Sequence, residues 1–155
     1  MNSQNKYIEQ IAQEALKKTG GSLPVNVEEV ARGYGLEVVE FAFHEKISGL
    51  LKKEQGIIGV NKTHHPVRRR FTIAHELGHF LLGHGMETMD EIIDESFDRP
   101  MPQEREANLF ASCLLMPNDL MKKESKKAID LEKLSSTFGV SKQAITIRLL
   151  DLKLI

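Results

Sequence analysis

The chain has 155 residues, of which 41% are hydrophobic and 28% are charged. This length suits one domain of ordinary size with a small appendage, and the composition excludes a disordered or fibrous chain. The formal net charge of -1 creates no overall field that would attract nucleic acid or an anionic membrane. Any contact with DNA would therefore need a local basic face.

Sequence features also bear on the compartment. The first residues lack a basic segment followed by an apolar core, and no run of about 18 apolar residues occurs in the chain. The single cysteine, Cys113, cannot form an internal disulfide, which fits a reducing environment. We therefore expect a cytoplasmic protein that is not secreted and does not span a membrane.

The chain begins with two predicted helices. Apolar residues recur at helical spacing over residues 7–16, and Gly20 and Gly21 then end the pattern. Asn26, with Glu29 three residues later, resembles a capping box and predicts a second, shorter helix.

Three short apolar runs follow, at residues 36–43, 49–51 and 56–60, with polar turns between them. They predict a small, mostly antiparallel sheet of three strands. A helix is predicted next, over residues 68–82, with Pro66 suited to its first turn. The succession of helices and a small sheet indicates an α+β fold.

The second half of the chain is predicted to be mainly helical. Residues 83–103 show no clear period and predict a loop or an irregular lid. Six acidic side chains fall within residues 87–98, and a solvated loop is favoured there over a substrate-docking surface. Helical spacing resumes over residues 104–116 and ends at Pro117.

Residues 131–150 have the layout of a helix-turn-helix, with Asp130 and Ser141 as candidate N-caps. The apolar residues expected to face inward are Leu131, Leu134, Phe138, Val140, Ala144, Ile147 and Leu150. A second helix that reads DNA needs basic and amide side chains, and this one offers only Lys142, Gln143 and Arg148. We therefore expect this segment to pack on the rest of the protein or to recognise a protein partner, and not to bind DNA directly.

The strongest chemical signal is the H-E-x-x-H motif formed by His75, Glu76 and His79. Positions i and i+4 of a helix share one face, so both imidazoles can reach one tetrahedral metal ion, for which Zn2+ is the natural choice. Glu76 is rotated off that face, where its carboxylate can take a proton from an activated water and deliver it to a leaving amine. The motif therefore predicts a zinc-dependent hydrolase with Glu76 as the catalytic residue.

A catalytic zinc has three protein ligands and one open position, so a third donor is needed. Glu104 is favoured because small or polar residues share its helical face, namely Ala107, Asn108 and Ala111. Glu106 is the alternative, on a face with bulkier neighbours. Asn108 can form a hydrogen bond that orients a metal-binding side chain. His84 lies five residues after His79 and is expected to be a surface group or to support a ligand.

The motifs together resemble a known family. Residues 70–79, 104–111 and 114–117 are similar to the ImmA/IrrE metallopeptidases, formerly a domain of unknown function, and the resemblance covers roughly residues 5–120. It implies a zincin-like fold with a glutamate as third ligand. It also implies an anti-repressor, in which the protein substrate is a helix-turn-helix repressor of a mobile element or phage.

Two functional hypotheses follow. The favoured one is a site-specific zinc peptidase, with a metallopeptidase domain at residues 1–117 and a helical extension at residues 118–155. The alternative is a non-proteolytic regulator that binds a transcription factor or DNA and keeps the metal for stability. A structural zinc would have a fourth protein ligand and no open position.

Overall fold

The computed structural model describes residues 2–42, 44–91 and 101–155. Over these ranges it contains seven helices and a four-stranded sheet. In chain order the elements are α1 (Ser3–Leu16), α2 (Val27–Gly33), β1 (Glu37–Phe41), β2 (Ile47–Lys52), β3 (Ile57–Asn61), α3 (Pro66–Leu81), β4 (Glu87–Glu91), α4 (Pro102–Leu115), α5 (Asn118–Lys127), α6 (Leu131–Phe138) and α7 (Lys142–Asp151). The expected α+β class is confirmed.

The sheet differs from the three-stranded one predicted. Its strand order is β1-β3-β2-β4, in which β3 runs parallel to β1 and antiparallel to β2, and β4 runs antiparallel to β2. The loop expected over residues 83–103 is therefore wrong for Glu87–Glu91. Met89 is the one apolar residue of this strand, so the sequence has no alternating pattern that would predict it. The segment is a strand because it pairs with β2. In the acidic segment 87–98, residues 92–98 lie outside the described residues.

Helix ends follow local chemistry. The side chains of Asn26, Asp130 and Ser141 each accept a hydrogen bond from the backbone N–H three residues later, which confirms these three N-caps. Helix α3 begins at Pro66, two residues earlier than predicted, because the fixed φ of proline suits the first helical position.

Helix α3 is held between the sheet and α4. A methyl group at Gly49 of β2 would lie only 2.5 Å from Cγ2 of Thr72, so glycine lets the sheet approach the helix closely. On the opposite side, a methyl group at Gly78 would lie 3.0 Å from Cδ1 of Phe110 and 3.3 Å from Cα of Ala107. The backbone of α4 thus approaches α3 closely at Gly78. These two glycines position α3 in the core.

The C-terminal helices share the hydrophobic core with the rest of the described chain. The inward face of α7 differs from the predicted one. Leu150 is 58% exposed, and Leu131 at the start of α6 is 37% exposed. Ile145 and Leu149 are buried instead, because α7 turns toward the core the face that also carries the buried Arg148. Among the described residues, no helix has both the length and the apolar character needed to cross a membrane.

Arg70 ties these helices to α3. Its guanidinium donates to the carbonyl oxygens of Gly139 (3.0 Å), Val25 (2.7 Å) and Phe138 (3.3 Å). Phe138 is the last residue of α6, Gly139 lies on the turn after it, and Val25 lies on the segment before α2. One side chain of α3 therefore joins distant parts of the chain.

We predict that Arg70→Met lowers the free energy of unfolding by about 2 kcal/mol, because carbonyl groups that are partly buried lose their donors. Urea denaturation followed by circular dichroism measures the change. Arg68→Met is the matched control, because Arg68 is an exposed residue of the same helix and its loss should cost less than about 0.5 kcal/mol. Equal losses for the two variants would contradict the assigned role of Arg70.

Candidate metal centre

Helix α3 places the two motif histidines one turn apart on its buried face. His75 is 0% exposed and His79 is 1% exposed. Their Nε2 atoms are 3.1 Å apart, and the two rings meet edge to face. Both imidazoles therefore present the same nitrogen to the same point.

Helix α4 adds a carboxylate at that point. Glu104 lies with Oε1 at 3.2 Å from Nε2 of His75 and Oε2 at 2.9 Å from Nε2 of His79. Among the described residues, His75, His79 and Glu104 are the group whose ligand atoms could hold a metal ion, all within 4.8 Å of one another. Of the two candidates for third ligand, the structure brings Glu104 to the histidines. Glu106 meets His84 instead, at 2.8 Å.

The outer nitrogens of the two histidines also have partners. Nδ1 of His75 lies 2.8 Å from Oδ1 of Asn108, as expected for a residue that orients a ligand. Nδ1 of His79 lies 2.9 Å from Nδ1 of His84. His84 is thus not among the three converging groups, and it occupies the supporting position that the sequence allowed.

The donor set fits a metal cation. A neutral His75 that donates its Nδ1 proton to Asn108 has a lone pair at Nε2, and the same holds for His79 if it donates to His84. The lone pairs of two imidazole nitrogens and of one carboxylate then face one another, an arrangement that a cation between them would stabilise. Ligands about 2.0 to 2.1 Å from a tetrahedral zinc are roughly 3.3 Å apart, close to the separations of 2.9 to 3.2 Å found here.

Glu76 lies beside this group without belonging to it. It is 0% exposed, and the hydroxyl of Thr88 donates to its Oε1 at 2.6 Å. Thr88 belongs to β4, so sequence reasoning that expected a loop there did not find it. With Met89 as its one apolar residue, the segment carries no alternating pattern that could have revealed the strand.

Two further titratable groups lie near the site: His84 beyond the end of α3, and Cys113 on α4. Burial lowers the pKa of His84, with a smaller contribution from His79, while Glu106 acts in the opposite direction. His84 is therefore held neutral at pH 7. Burial raises the pKa of Cys113 on α4 to about 11, which leaves it a protonated, small apolar group.

Comparison with known proteins identifies the family. The family model for Peptidase_M78, described as the IrrE N-terminal-like domain, matches residues 31–150. The chain belongs to this family. The match covers well over half of the chain and confirms the resemblance to ImmA/IrrE proteins. No curated protein matched the chain significantly.

A solved structure has a similar fold. It is that of a Mycobacterium tuberculosis transcriptional regulator, with a TM-score of 0.62 and 20% sequence identity. The alignment covers 96% of this chain and 47% of the regulator, so the chain spans about half the length of that protein. At this level of identity the likeness concerns the fold.

We predict that Glu104→Ala weakens zinc binding by more than the roughly 10- to 100-fold that loss of an outer partner of a ligand costs. The reason is that one of three donor groups is removed outright. Competition with a chromophoric chelator measures the affinity. Glu54→Ala is the control, because Glu54 is exposed in the turn between β2 and β3. Unchanged affinity in Glu104→Ala would contradict the assignment of this ligand.

Proposed function

We propose that the chain is a zinc-dependent peptidase in which His75, His79 and Glu104 hold the metal. The observation that carries the proposal is the convergence of two Nε2 atoms and one carboxylate within 3.2 Å. Two imidazoles and a carboxylate are a donor set that suits zinc. The group has three members within the described ranges, which supports a catalytic site with an open position over a structural one with four protein ligands.

Glu76 is the proposed general base and general acid. A zinc ion bound here supplies Lewis-acid activation of water and of the scissile carbonyl. Glu76 accepts the proton of the attacking water and then transfers it to the departing amine nitrogen. Thr88 holds Oε1 of Glu76, so the carboxylate has a fixed orientation while it moves the proton.

The arrangement of elements supports a zincin-like architecture. The motif helix α3 packs on the sheet, α4 brings the third ligand, and β4 lies at the sheet edge beside Glu76. We further propose that residues 1–117 carry the chemistry and that residues 118–155 form a helical extension packed on them. The shared hydrophobic core of the two parts supports the packing of the extension on the rest of the chain.

We propose a helix-turn-helix repressor of a mobile element or phage as the substrate, which makes the protein an anti-repressor. Membership of the ImmA/IrrE family supports a regulatory substrate. The similar solved structure is described as a transcriptional regulator, which points in the same direction. A repressor bound to its operator also requires a cytoplasmic site of action.

Direct DNA binding is not favoured by the side chains of α7. Arg148 is 0% exposed, and its Nε donates to the carbonyl oxygen of Met116 at 3.0 Å. Lys142 forms an ion pair with Glu132 at 3.1 Å. Two of the three side chains available for DNA contacts thus have structural or ionic partners within the protein.

We predict that Glu76→Gln lowers kcat for peptide cleavage by at least about 100-fold, the lower range for loss of a general acid–base group. Zinc stoichiometry should remain that of the wild type, because the three ligands are intact. Single-turnover cleavage and metal analysis of the same preparations provide both values. Glu54→Gln makes the same chemical change at a remote site and should leave the rate unaltered.

The substrate is found by labelling new protein N-termini in a lysate of the source cells after addition of the zinc-loaded protein. The Glu76→Gln variant provides the background. New termini inside a helix-turn-helix protein, absent with the variant, support the proposed substrate. Normal cleavage by the variant would show that Glu76 is not the base, and termini confined to other protein classes would exclude the repressor.

A further inference from the structure

His79, His84 and Glu106 form a chain of polar contacts that leads away from the metal centre. Nδ1 of His79 lies 2.9 Å from Nδ1 of His84, and Nε2 of His84 lies 2.8 Å from Oε1 of Glu106. The His84 side chain is 5% exposed and that of Glu106 is 25% exposed. The contacts therefore lie mostly out of water, where hydrogen bonds are strong and geometry is well defined.

The backbone explains why His84 reaches His79. Gly83 follows Leu82, the C-cap residue of α3. Its φ of +71° lies in the left-handed region, which glycine adopts most readily. The N–H of His84 then donates to the carbonyl oxygen of His79 at 3.0 Å, which is the six-residue bond of a Schellman motif. The helix end itself thus places the two imidazoles side by side.

The direction of the hydrogen bonds follows from the carboxylate. A carboxylate only accepts, so in the tautomer that satisfies both contacts His84 carries its proton at Nε2. Nδ1 of His84 then carries a lone pair and accepts from His79. His79 must therefore be protonated at Nδ1, which leaves the Nε2 lone pair facing His75 and Glu104.

We propose that His84 and Glu106 are positioning residues that hold His79 in its metal-binding tautomer and orientation and thereby set the metal affinity. The inference rests on the proposed function, since it requires a metal between His75, His79 and Glu104. Glu106 acts through His84, and His84 acts through His79. Neither residue belongs to the converging group itself.

The two histidine ligands are supported unequally. The outer nitrogen of His75 meets a neutral amide, Asn108, whereas the outer nitrogen of His79 leads to a carboxylate through a second imidazole. A carboxylate at the end of such a chain raises the basicity of the ligand nitrogen, and outer partners of this kind are worth about 10- to 100-fold in metal affinity. Glu106 therefore affects the metal affinity through His79 and not through His75.

The test measures zinc affinity of the full chain by competition with a chromophoric chelator. We expect Glu106→Ala and His84→Leu each to weaken binding about 10- to 100-fold. His84→Asn keeps an acceptor near the position of Nδ1 and should recover most of the loss, whereas Glu106→Gln keeps an acceptor for His84 but lacks the charge and should recover only part of it. Gln4→Ala is the matched control, because Gln4 donates to the other oxygen of Glu106 at 3.0 Å and should leave affinity within about twofold.

A spectroscopic readout separates positioning from a general loss of structure. In 15N–1H spectra of the imidazoles, the wild type should show His79 protonated at Nδ1 and His84 protonated at Nε2. Glu106→Ala should remove the preference for a proton at Nε2 of His84, while Glu106→Gln, whose amide can donate as well as accept, should leave that preference weaker than in the wild type. Thermal unfolding of the metal-free variants shows whether each one folds, and Glu106→Gln and His84→Asn carry the comparison if His84→Leu does not.

The outcomes distinguish this inference from the proposed function. If the wild type binds zinc and the variants bind it equally well, the positioning role is overturned and the peptidase proposal stands. The same conclusion follows if the tautomers are the opposite of those expected. If the wild type binds no zinc, the metal centre and this inference both fail.

Discussion

Two imidazoles and one carboxylate turn their lone pairs toward one point in this protein, and the rest of the site depends on that convergence. His75 and His79 turn their Nε2 atoms toward each other and toward the carboxylate of Glu104. Positive charge between these groups would stabilise the arrangement. A metal cation provides that charge, so binding and folding of this region are expected to be coupled.

The packing of α3 serves this convergence. Gly49 of β2 leaves room for the side chain of Thr72 on α3, and Gly78 of α3 lets the backbone of α4 approach closely. The approach of α4 brings Glu104 and Asn108 to His75, while the sheet brings Thr88 to Glu76. The close packing of α3 against the sheet and α4 therefore also brings the polar groups of the site together.

Two carboxylates on α4, only two positions apart, have different surroundings. Glu104 faces the two motif histidines, and Glu106 faces His84 beyond the end of α3. Glu104 reaches the proposed metal site directly, whereas Glu106 reaches it through the imidazole of His84. This pattern extends the site from a few donor atoms to a network that includes the helix end at Gly83.

The sequence by itself determined the features that arise from neighbouring residues. The spacing of His75 and His79 places them on one face, three N-caps begin helices where their side chains predict, and the small-residue face of α4 favoured Glu104 over Glu106. Local periodicity and capping depend on separations of a few residues, which the sequence displays directly.

Only the tertiary structure decided which groups meet across the fold. The strand β4 has little apolar pattern and exists through its pairing with β2, so Thr88 and its contact with Glu76 were not foreseen. The link from His84 to Glu106 joins positions 22 residues apart, and the burial of Arg148 depends on how α7 sits against the core. Such contacts are set by the packing of whole elements, for which no short-range pattern in the chain provides a signal.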